Sequence, residues 1–81
     1  MRPQSLVPLT LEEHQELGAE MRAVNARLQE LCKLVVSVYG RQNSAAFTFI
    51  KAAEDVSRLC QDLQAQAAKD LPGHPIDGLY L

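Results

Sequence analysis

The sequence predicts an all-α protein: a two-helix antiparallel hairpin that pairs into a dimeric four-helix bundle. Three observations carry that expectation. The first is an unbroken 4-3-4-3 spacing of apolar residues, Leu17, Met21, Val24, Leu28, Leu31, Val35 and Val38, which lays one seam along a helix. The second is the same rhythm one short turn later, in Phe49, Ala53, Val56, Cys60, Leu63 and Ala67. The third is the width of the stripes. Cys32, Leu34 and Tyr39 flank the first seam, and Ile50 and Leu59 flank the second. A stripe that wide belongs to a bundle helix, whereas a two-stranded coiled coil needs only two lines of apolar residues.

The elements follow in order. Residues 1–9, with Pro3 and Pro8, read as an extended leader. Thr10-Leu11-Glu12-Glu13 then opens the first helix, expected over 10–39, as a capping box. The Thr10 hydroxyl can accept from the backbone N–H of Glu13 while the Glu13 carboxylate reaches back to the N–H of Thr10. Glu12 and Glu13 also meet the positive end of the helix dipole. Gly40 suits a left-handed position just past the helix end, and residues 40–44 make the turn. Asn43 or Ser44 is a good N-cap for the second helix, expected over about 45–70. Its alanines (Ala45, Ala46, Ala52, Ala53, Ala65, Ala67 and Ala68) favour helix and permit close approach of a neighbour. Glu54 and Arg58 form a favourable pair at i, i+4. Leu71-Pro72-Gly73 ends the helix, because a residue before proline is pushed out of the helical region. Residues 71–81 form a C-terminal apolar tail.

Composition narrows the function classes. Eighty-one residues allow one domain. A hydrophobic share of 47% with 22% charged residues fits a folded chain. No run of about 18 apolar residues is present, so no membrane association is expected. No signal-peptide pattern is found in residues 1–10, and free thiols point to a cytoplasmic protein. The net charge of −2, and the wide spacing of Arg22, Arg27, Lys33, Lys51, Arg58 and Lys69, argue against a nucleic-acid partner.

A partner protein is expected on energetic grounds. Two helices of about 40 Å bury one stripe against each other and leave the flanks wet, and scaffolds this small usually need a disulfide, a metal or association. The economical solution is a homodimer. The expected interface comprises Leu17, Met21, Val24, Leu28, Leu31, Leu34, Val35, Val38, Tyr39, Phe49, Ile50, Val56, Leu59, Cys60 and Leu63. The widest apolar region lies near the turn, where Leu31, Cys32, Leu34, Val35, Val36, Val38 and Tyr39 face Phe47, Phe49 and Ile50. It reads as the best-packed end of the dimer core, or otherwise as a patch for a partner helix or an apolar ligand.

Chemical motifs are scarce. Cys32 and Cys60 fall about 12 Å apart along the hairpin axis, beyond disulfide reach. Cys60 sits on the seam as a small buried apolar residue. His14 is expected near a frayed polar end with no second metal ligand three or four residues away, and no Glu-x-x-His pattern occurs. There is no Cys-x-x-Cys, phosphate loop or nucleophile with a base. No catalytic residue, metal or cofactor is therefore expected. Tyr39-Gly40 lacks the Trp and the intervening residue of the Trp-x-Gly turn of secreted helical-hairpin proteins, so no family is assigned.

The tail is the one feature that a bundle leaves unexplained. Ile76, Leu79, Tyr80 and Leu81 are apolar yet follow the end of the helix. The favoured reading is that they fold back over a flank of the bundle, their own or a partner's. The alternative is a short linear motif, with Leu79, Tyr80, Leu81 and the terminal carboxylate captured by another protein. The function expected is a non-enzymatic helical interaction module that self-associates as a four-helix bundle. The alternatives are a subunit, adaptor or chaperone of a hetero-complex, or a ligand- or metal-binding bundle.

Overall fold

A computed structural model describes residues 7–81. It contains two helices, α1 (Leu11–Tyr39) and α2 (Ser44–Asp70), packed against each other as an antiparallel hairpin. The fold is thus all-α, and residues 1–6 of the expected leader lie outside the described residues. The molecule measures 45 × 27 × 17 Å. Its thinnest dimension leaves no room for a second layer over a helix of about 10–12 Å diameter.

Local chemistry sets the helix ends. The Glu13 N–H donates to Thr10 Oγ1 at 3.2 Å and the Thr10 N–H donates to Glu13 Oε1 at 2.9 Å, completing the capping box. At the far end the Gly40 N–H still donates to Val36 O. The chain then leaves α1 with Gly40 at φ 84°, ψ 158°. This is not the left-handed helical conformation expected for that position. It is the extended positive-φ region that essentially only glycine occupies. Asn43 Oδ1 accepts from the N–H groups of Ala45 and Ala46 and so caps α2.

The contact line between the helices differs from the apolar seams. On α2 the buried residues are Ala46, Ala53, Cys60 and Ala67, one every seventh position. On α1 only His14 and Gly18 are fully buried. Further along, the Gln29 side-chain N–H donates to Ser57 Oγ, which in turn donates to Asn25 Oδ1. The face that α1 turns to its partner therefore runs through His14, Gly18, Met21, Asn25, Leu28 and Cys32. That line is rotated by roughly 50° from the seam of larger residues, because its alternate line is small or polar. Alanine and cysteine let the helices approach closely, and Asn25, Gln29 and Ser57 satisfy one another where they meet. The rotation leaves Val24 and Val38, both seam residues, 50% and 63% exposed.

Candidate functional site

Helical spacing divides the hairpin into two broad faces. One carries Leu17, Val24, Leu31, Leu34 and Val38 from α1 and Phe49, Val56, Leu59 and Leu63 from α2. Met21 and Leu28 edge it from the contact line, and Val35 continues the seam beside them. Twelve of the fifteen expected interface residues thus share one face. Leu17, Met21, Leu28, Leu31, Val35, Phe49, Val56 and Leu63 are half-buried there, whereas Val24, Leu34, Val38 and Leu59 are exposed. The other three lie elsewhere. Cys60 is sealed within the hairpin, Ile50 belongs to the opposite face, and Tyr39 is exposed at the turn end.

The opposite face carries the tail, which folds back across the open end of the hairpin. Two glycines give the tail its bends, Gly73 and Gly78, both at positive φ. Gln64 then grips its backbone twice, donating from Nε2 to Ile76 O at 2.7 Å and accepting the Tyr80 N–H at Oε1. Gly18 makes the close approach sterically feasible. A Cβ built there would overlap the carbonyl of Leu79. The result is a cluster of Cys60, Ala67 and Tyr80, with Leu17, Met21, Leu63 and Leu79 packed around it. Tyr80 is the largest fully buried side chain, 1% exposed, whereas Leu81 is 65% exposed. Of the tail motif, then, Tyr80 is occupied within the chain and only Leu81 stands clear.

His14 lies at the centre of this closure. Sequence reasoning put it at a frayed end, yet it is buried. It links Tyr80 Oη at Nδ1 (2.7 Å) to Asp70 Oδ2 at Nε2 (2.9 Å), and its ring meets Tyr80 edge-on. The hydrogen bond from His14, then that from Gln66, hold the Asp70 carboxyl below its usual range, so it is ionised and can only accept. Nε2 therefore carries a proton and donates to Asp70, while Nδ1 and the Tyr80 hydroxyl share the second hydrogen bond. Burial, reinforced by the Asp70 charge, pushes the Tyr80 phenol up, which keeps the hydroxyl protonated. The order Asp–His–Tyr resembles the relay that activates a nucleophile. A tyrosine so enclosed offers its oxygen to no substrate, so the arrangement acts as a clasp.

A depressed carboxyl pKa stabilises the fold above the unfolded value near 4 and loses that contribution as pH falls through the folded value. The stability gap between the wild type and Asp70→Asn is accordingly expected to hold steady above about pH 5 and to shrink below about pH 4. Urea melts across that range measure it. A gap that ignores pH would mean Asp70 is not ionised in the clasp.

Cys32 is half-buried and Cys60 buried, and both are free thiols. Among the described residues no cluster of three or more His, Cys, Asp or Glu side chains is placed to hold a metal ion. No helix among the described residues is long and apolar enough to cross a membrane. No family model, curated protein or solved structure matches this chain.

Proposed function

We propose that the chain is a non-enzymatic interaction module, two copies pairing through the Leu17–Val38 and Phe49–Leu63 face into a four-helix bundle. The observation that carries this reading is an inversion of the usual burial order. The hairpin buries Ala46, Ala53, Cys60 and Ala67, while Val24, Leu34, Val38 and Leu59 stand 45% to 63% exposed along one face. Burying large aliphatic side chains is worth about 25 cal/mol per Å², so an uncovered stripe of them favours association. A face running about 32 Å from Leu17 to Val38 and two helices wide can supply the roughly 800 Å² per partner that a stable interface needs. A second copy covers it with a matching surface, since a two-fold interface pairs the same patch with itself.

Sedimentation equilibrium of the purified chain tests the reading. The expected mass is twice the 9.0 kDa of one chain. A folded monomer at tens of micromolar would remove it. Co-purification of a different protein in one-to-one ratio would instead favour a hetero-complex subunit.

A further inference from the structure

The face that carries the tail is only half filled. Beyond the Asn25–Ser57–Gln29 hydrogen bonds, the same inter-helix channel continues to the turn as an open groove of about 690 Å³. We propose that this groove is a docking site for an extended acidic peptide segment of a partner protein. Three independent features carry the inference.

The first is charge. Lys33, Arg41 and Arg58 line the groove against one acid, Glu54, although the chain as a whole is acidic at −2. None of the three cations makes an ion pair among the described residues. Three uncommitted cations around one concavity attract an anionic partner. The second is the floor. Ala53 and Cys32 are small, and Val36 and Ile50 are apolar, so shallow room remains for small or branched apolar side chains. The third is precedent within the molecule. The adjoining stretch of this channel already holds non-helical chain, with the Gln64 amide gripping its backbone at Ile76 and Tyr80. Gln61, one turn of α2 before Gln64, lines the open stretch with the same amide chemistry.

An extended segment that alternates acidic and apolar residues matches all three features. Its period of two sends one set of side chains to the floor and the other to the cationic rim. The volume falls within the usual range for ligand sites. The groove lies on the face opposite Val24 and Leu34, so this inference stands or falls separately from self-association.

The test is a titration of the ¹⁵N-labelled full chain with a blocked hexapeptide alternating glutamate and leucine. The expected result is saturable amide shifts at Lys33, Ala53, Ser57 and Arg58. Binding should weaken about tenfold or more in the double variant Lys33→Glu, Arg58→Glu, and should fall with added salt. Both substituted positions are exposed on the helices, and unchanged signals from His14 and Tyr80 would show that the variant is folded. The same peptide with lysine for glutamate should not bind. Equal binding of the lysine peptide, shifts centred on Val24, Leu34 and Val38, or no saturation by millimolar peptide would each overturn the proposal.

Discussion

Replacing Tyr80 by alanine is expected to destabilise the chain by about 3–5 kcal/mol, the range for deleting a buried aromatic side chain. For a scaffold of this size that is most of the stability available. The side chain fills the space between His14, Cys60 and Ala67, and its loss also strips Nδ1 of His14 of its hydrogen-bond partner. Tyr80→Phe keeps the packing and removes only that hydrogen bond, so a smaller loss of about 1–3 kcal/mol is expected. Gly18→Ala supplies a sign test. In an exposed helix this change stabilises by about 1 kcal/mol. Here the new methyl would collide with the Leu79 backbone, which has no rotamer by which to move away. A net loss is expected, with Tyr80 becoming solvent-exposed by fluorescence quenching. A stabilised Gly18→Ala variant with Tyr80 still shielded would mean that the tail does not cross α1 at this point.

The second large effect concerns the apolar face. Val24→Glu combined with Leu34→Glu places two charges at positions that are half or more exposed in the single hairpin. A lone chain tolerates them. A dimer would have to bury both unpaired, which costs several kcal/mol. The expected outcome is association weakened by a hundredfold or more, with the helical circular dichroism persisting at concentrations where the chain is monomeric. A double variant that sediments as the wild-type species does would place the interface elsewhere.

What could be read from the sequence depended on how local the cause was. Thr10 with Glu13, and Asn43 with the amides that follow it, are contacts within three residues, and the pattern reveals them directly. Gly40 announced a positive φ but not its ψ, since both candidate conformations favour glycine. The rotation of α1 was hidden for a different reason. Its contact line runs through Gly18, Asn25 and Cys32, which a search for large apolar residues passes over. The useful signal was on α2, where Ala46, Ala53, Cys60 and Ala67 repeat every seven residues as a stripe of small side chains. The clasp was the least legible feature. His14 lies 56 residues from Asp70 and 66 from Tyr80, and no spacing rule spans such separations. A histidine in register with the inter-helix contact line, followed much later by an unexplained tyrosine in the tail, was the only hint.

The distance that the clasp spans along the chain also bears on the order of events in folding. The α1–α2 hairpin is closed by a short turn and can zip outward from it, whereas the His14–Tyr80 bond joins nearly the two ends of the described chain. Contacts that close long loops are slow to form and are commonly absent from the rate-limiting barrier. Tyr80→Ala should then leave the refolding rate nearly unchanged and accelerate unfolding, which stopped-flow chevron plots would display. The two-point grip of Gln64 and the small hydrogen-bonded cluster around His14 thus act less as a guide to the native state than as a brake on leaving it.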